Sequence, residues 1–278
     1  MVSTASIITV LVTLFVTLIL PIIVYVVYGM RNKGKGVWTA WLLGAAGFFV
    51  FQMIIRMPVL SILSILPGFM NFVTEHFILY SLLLAFTAAL FEVAGRYLVA
   101  KLLCKIGKSL TYEKSFAAGL GHGSIESILV IGMTYVNNLL YIIMINTGAY
   151  DVMVEQTAAL GVDVSQLWAV KDSLINTSPS LFLLAGYERV LTVILHIALT
   201  LVVCYYVSRK KDIQGVLICL VCHFAVDFIA PIMNALATDY LGNVISTNMS
   251  YVLAYVFLTV VAVVSVLAIR RMKQCMSS

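Results

Sequence analysis

Residues 76–100 read HFILYSLLLAFTAALFEVAGRYLVA, with Glu92 and Arg96 the only Asp, Glu, Lys or Arg among them. A membrane-spanning helix needs about 20 consecutive, mostly apolar residues, and this stretch supplies them. The rest of the chain has the same character. Of its 278 residues 62% are apolar and 10% charged, and mean hydropathy is +1.07, whereas soluble domains are about 25% charged. The bilayer is therefore the expected solvent. The fold class that follows is all-α, a polytopic transmembrane helix bundle of about seven spans, forming a single integral membrane domain over residues 1–278 with no separate soluble domain.

Apolar length places the spans at about 5–28, 37–55, 76–100, 115–146, 180–207, 213–236 and 247–269. Residues 56–75 are apolar but interrupted by Pro58, Pro67 and Gly68. They read as a re-entrant or interfacial piece, or as a poorly formed extra span. The largest loop, 148–179, mixes Gly, Asp and Asn with a helical stretch around Gln166 to Leu174. Residues 5–28 lack a preceding basic stretch and a following small-residue cleavage site, so they are expected to be a retained span and not a signal peptide.

Charge placement gives an orientation. Arg31, Lys33 and Lys35 follow span one, Lys101, Lys105, Lys108 and Lys114 follow span three, Arg209, Lys210 and Lys211 follow span five, and Arg270, Arg271 and Lys273 follow span seven. The loops after even spans carry Glu75, Asp151, Glu155, Asp163, Asp172 and Asp239, with only Arg56 and Lys171 against them. Basic loops mark the cytoplasmic side, so the N-terminus is expected outside and the C-terminus inside, in a plasma membrane. The same alternation favours seven spans over six or eight, because one span more or fewer would put basic loops on both faces.

Composition also excludes function classes. The net charge of +5 comes from those short basic runs and not from a basic face, so nucleic acid is not an expected partner. Cys104, Cys204, Cys219, Cys222 and Cys275 lie in or beside apolar segments or in the basic tail, which argues for small apolar fillers and against a secreted disulfide framework. Cys219, Cys222 and His223 match a haem-attachment spacing, but fall in mid-span and read as chance.

The informative residues are ionisable ones inside the spans. Each costs about 2.5–3.5 kcal/mol at a helix centre on insertion scales, so each asks for a partner or a function. Span three carries Glu92 and Arg96, span four His122 and Glu126, span five Glu188, Arg189 and His196, and span six His223 and Asp227. Glu92/Arg96, His122/Glu126 and His223/Asp227 are four apart, and Arg189/His196 seven apart, so each pair shares one helix face. Counted at about 1.5 Å per residue from the cytoplasmic end, Glu92 lies ~12 Å deep, Glu126 and His196 ~17 Å and His223 ~15 Å. Four helices thus deliver carboxylates and imidazoles to nearly one level. Such a cluster suits a borderline divalent metal, zinc above all, with a remaining carboxylate free to activate water. Glu188 and Arg189 fall toward the outer side and read as a gating or structural pair. Gly119, Gly121 and Gly123 flank His122, where they allow close helix approach or local unwinding that would give a substrate room.

The segments FEVAGR (Glu92, Arg96), GLGHGSIESIL (His122, Glu126), ERVLTVILHIALT (Glu188, Arg189, His196) and HFAVD (His223, Asp227) together resemble the YhfC family of intramembrane proteases, related to PrsW and to the CAAX prenyl protease and bacteriocin-processing group. The resemblance covers most of the chain. Phe91 stands where the wider group usually has a second glutamate, leaving Glu92 alone. The resemblance implies that Glu92 is the water-activating base and that Glu126, His196 and His223 are metal ligands. Arg96, His122 and Asp227 join Glu92 as supporting catalytic residues, with Zn2+ as the expected cofactor. It leaves open a metal-dependent or a glutamate-activated hydrolysis. The expected partners are the lipid bilayer and a membrane-embedded or membrane-associated protein substrate. An ion-coupled transporter using the same buried residues is the alternative, and a seven-helix sensor or scaffold a third. A carrier would show paired halves and a polar path from face to face, and the sequence shows one cluster and no repeat.

Overall fold

The computed structural model describes residues 1–107 and 109–277, and every regular element among them is helical. In chain order these are α1 (Thr4–Arg31), α2 (Val37–Ser64), α3 (Phe69–Glu75), α4 (Phe77–Gly107), α5 (Tyr112–Thr147), α6 (Ala149–Ala159), α7 (Ser165–Asn176), α8 (Pro179–Ser208), α9 (Asp212–Leu236), a short 3-10 turn (Asp239–Leu241) and α10 (Thr247–Ser277). All but α3, α6 and α7 are long and apolar enough to cross a membrane, so the chain is a seven-span, all-α membrane protein. Lys108, one of the basic residues counted after span three, lies outside the described residues.

The spans overrun their apolar limits where charged residues continue the helix, as Lys101 and Lys105 do in α4 and Arg270, Arg271 and Lys273 in α10. The largest shift is in span two, which ends at Ser64 and not near 55, so residues 56–64 are neither re-entrant nor a separate span. The reason is a loosely wound π stretch, Phe49–Arg56, whose last bond runs from Met57 N–H back to Gln52 O. Pro58 then falls in the first turn of a fresh α stretch, Met57–Ser64, where its missing N–H costs little. Two further π stretches occur, Phe15–Ile19 in α1 and Ser127–Gly132 in α5. The 148–179 loop holds two helices, α6 as well as the expected α7, and Gly148 at φ +80° separates α6 from α5.

The chain divides into two compact units. The first comprises Met1–Val24 and Ser127–Val190. Its core packs Val10, Tyr135, Ile142, Tyr150, Leu174 and Phe182. Its buried polar groups are satisfied locally: Thr13 Oγ1 donates to Phe182 O at 2.7 Å, Tyr135 Oη to the same carbonyl at 3.1 Å, and Ser127 Oγ to Thr17 O at 3.2 Å.

The second unit comprises Tyr25–Glu126 and Leu191–Ser278. Small residues bring its helices into backbone contact. A Cβ built on Gly44 of α2 would fall 1.9 Å from Ala118 O of α5, and one on Gly121 would fall 2.1 Å from Trp41 O. Gly119 and Gly123 face α8 instead, where a Cβ would meet Ile197 Cα at 2.7 Å and Val193 Cα at 3.1 Å respectively. Without side chains to hold helices apart, dispersion between backbones replaces the hydrophobic drive that lipid removes. The expected unwinding beside His122 does not occur: Tyr112–Glu126 is regular α-helix, because α2 and α8 fill the space its glycines leave. Close approach is what those glycines provide.

Candidate active site

The tight packing of the second unit turns four polar stripes toward each other. Glu92 and Arg96 come from α4, His122 and Glu126 from α5, His196 from α8, and His223 and Asp227 from α9. Glu92, Arg96, His122, His196 and His223 are buried; Glu126 and Asp227 are partly exposed.

Glu92 Oε2 is the hub. It lies 2.9 Å from His122 Nε2, 3.0 Å from Arg96 Nη2, 3.6 Å from His223 Nε2 and 3.7 Å from His196 Nδ1. The guanidinium of Arg96 also meets His196 Nδ1 at 2.6 Å and His223 Nδ1 at 3.4 Å. At 1% exposure it is enclosed within the cluster. Two further contacts complete the cluster, His196 Nε2 to Glu126 Oε2 at 2.6 Å and His223 Nε2 to Asp227 Oδ1 at 3.5 Å. The seven residues expected to be catalytic or metal-binding thus belong to one connected group. Glu188 and Arg189 lie in the first unit, where they contact each other.

Arginine only donates, so Arg96 turns its N–H groups toward Nδ1 of His196 and of His223, and an ion held by His196 would take the place of one of that ring's present partners, Arg96 or Glu126. His122 Nε2 faces Glu92 Oε2 at 2.9 Å. The Phe48 and His122 rings pack T-shaped, with centroids 5.2 Å apart.

One oxygen or nitrogen from each of Glu92, His122, Glu126 and His196 lies within 4.8 Å of all the others. Two imidazoles and two carboxylates, largely shielded from solvent, are a donor set that suits a divalent cation, and the two negative charges match its charge. The compact group holds Glu92 and His122, whereas the sequence reading placed His223 among the ligands. His223 sits one step away, between Arg96, Glu92 and Asp227.

Two residues tied to the cluster were not singled out in the sequence. Gln52, buried in the π stretch of α2, donates from Nε2 to Glu92 Oε1 at 2.8 Å. Arg56, counted there as an outer-loop charge, donates from Nη1 to Gln52 Oε1 at 3.2 Å. Their four-residue spacing was the available signal, but an amide is not ionisable and draws no attention in an apolar span.

A seven-helix membrane protein with a buried carboxylate–imidazole centre is equipped for proton transfer and for holding a metal. The chain belongs to the YhfC intramembrane metalloprotease family, which it matches over residues 16–249. It is similar to the "Uncharacterized membrane protein YhfC" of Bacillus subtilis (strain 168), at 28% identity over 189 residues, 68% of this chain and 70% of that one. No solved structure matches the chain.

Proposed function

We propose that the protein hydrolyses peptide bonds of membrane-embedded or membrane-associated proteins. The observation that carries this reading is the gathering of Glu92, His122, Glu126 and His196 donors within 4.8 Å of one another in a membrane protein of this family. Glu92 would take a proton from the attacking water as oxygen adds to the substrate carbonyl. As the C–N bond breaks, that proton passes to the leaving nitrogen. Arg96 compensates the buried carboxylate and offers guanidinium N–H donors beside it. His223, held between Arg96 and Asp227, stands one contact from Glu92 as a proton partner.

His122, His196 and Glu126 would hold a divalent ion, with zinc the best match to mixed imidazole and carboxylate ligands. When bound, such an ion polarises a carbonyl and lowers the pKa of coordinated water toward about 7. The basic loops support placing the cluster in the cytoplasmic half of the bilayer, with the N-terminus outside. A carrier would need ionisable groups strung from face to face, whereas these seven residues form one compact group.

The test compares cells producing the wild-type chain with cells producing Glu92→Gln, by mass spectrometry of protein N-termini in the membrane fraction. New termini that depend on the wild-type chain and vanish in the variant are expected. Identical termini in both, with ion flux in proteoliposomes, would establish the carrier instead.

A further inference from the structure

Glu92 presents two oxygens to two different surroundings. Oε2 receives the imidazole and guanidinium contacts of the centre, while Oε1 meets Gln52 Nε2. We propose that Gln52 is a positioning residue, held by Arg56, which pins Glu92 Oε1 to α2 and so fixes Oε2 as the oxygen that faces the reacting centre.

The orientation of the Gln52 amide follows from its neighbours. Its nitrogen lies 2.8 Å from Glu92 Oε1 and 3.2 Å from Ala88 O, both acceptors, while its oxygen lies 3.2 Å from Arg56 Nη1, a group that only donates. A flipped amide would set oxygen against two acceptors and nitrogen against a donor. Arg56 is itself tied down, with Nη2 to Leu84 O at 2.9 Å and Nε to Thr87 Oγ1 at 3.2 Å. The Thr87 hydroxyl donates to Leu83 O at 2.8 Å, leaving its oxygen free to accept. The anchor therefore returns to α4, the helix that carries Glu92. Both N–H groups of the Gln52 amide and one from each of the three Arg56 nitrogens have an acceptor, and a buried polar network gains rigidity from being satisfied.

The π winding of Phe49–Arg56 belongs to the same device. Such stretches recur at functional sites because they re-aim side chains that a regular helix would point elsewhere. Here the stretch puts an amide and a guanidinium against α4, one on Glu92 and the other behind it. Without the amide, the carboxylate would lose its Oε1 contact and could rotate between its two oxygens. Only the consequence for hydrolysis rests on the reading proposed above.

The test is infrared spectroscopy of protein labelled with 13C-glutamate in lipid nanodiscs, with the Glu92 carboxylate band isolated by subtracting the Glu92→Gln spectrum. Gln52→Met keeps side-chain length and removes the donor. The antisymmetric stretch of Glu92 should move to higher frequency in Gln52→Met, as a carboxylate does on losing a hydrogen bond, and by a smaller amount in Arg56→Met. An unmoved band in a Gln52→Met protein that keeps its wild-type melting temperature would overturn the proposal. A Gln52→Met protein that fails to fold passes the decision to Arg56→Met, where a shifted band supports the proposal and an unmoved one overturns it. The band comparison needs no substrate, so it decides the role of Gln52 even if wild-type and Glu92→Gln cells yield identical termini and the peptidase reading falls.

Discussion

The two units of the molecule bury polar groups in opposite ways. In the first, apart from the Arg189–Glu188 pair, hydroxyls donate to carbonyls, Thr13 and Tyr135 to Phe182 O and Ser127 to Thr17 O, while Asn146 accepts from Val2 N–H and donates to Val2 O. Such bonds are worth about 0.6 kcal/mol each inside membranes, because an unfolded chain also finds partners there. In the second, three imidazoles and the Arg96 guanidinium converge on Glu92, and Glu126 and Asp227 join through His196 and His223. Ionisable groups buried in spanning helices are costly even when paired. One region uses polarity to join helices; the other concentrates charge beyond what joining helices requires.

Substitutions in the two regions should therefore separate activity from stability. The largest effect is expected for His196→Ala, which removes the group that bridges Arg96 and Glu126; Glu92-dependent cleavage should fall about 10²–10⁴-fold, the range for losing a positioned acid–base group, as read by the yield of wild-type-dependent termini. Arg96→Met comes next. It leaves Glu92 buried without its guanidinium, and breaking a buried ion pair costs about 3–5 kcal/mol, so the detergent-solubilised protein should melt well below wild type. Gly119→Ala is smaller, since its Cβ would lie 2.7 Å from Ile197 Cα. Parting α5 from α8 should cost about 1–3 kcal/mol, as overpacking does, and should lower cleavage by moving His122 away from His196. The smallest is Thr13→Val in the first unit, about 0.6 kcal/mol with cleavage unchanged. Loss of cleavage in Thr13→Val would break the contrast between the units.

Much of this was legible in the sequence, for physical reasons that differ by feature. Spanning helices announce themselves by length and apolarity, and all seven were found. Their ends were harder to place, because Arg56 and Pro58 look like a break unless one knows that α2 winds as π-helix up to that proline. The residues of the centre stood out because an ionisable side chain in a span demands an account. Which of them pack most closely did not, since spacing assigns a residue to a face of its own helix and says nothing of the partner helix. His122 entered the compact group through glycine contacts with α2 and α8 that no periodicity reveals. Gln52 was invisible for the opposite reason, a neutral side chain whose importance comes from what it touches.

The central proposal is that the centre of the second unit holds a divalent ion. Metal analysis of the full chain, purified without chelator in lipid nanodiscs, tests it. Wild type and Thr13→Val should carry the same ion, zinc foremost, and His122→Ala combined with His196→Ala should lose it while remaining folded. Equal metal content in the double variant and wild type, or none in either, would contradict a divalent ion held by His122 and His196.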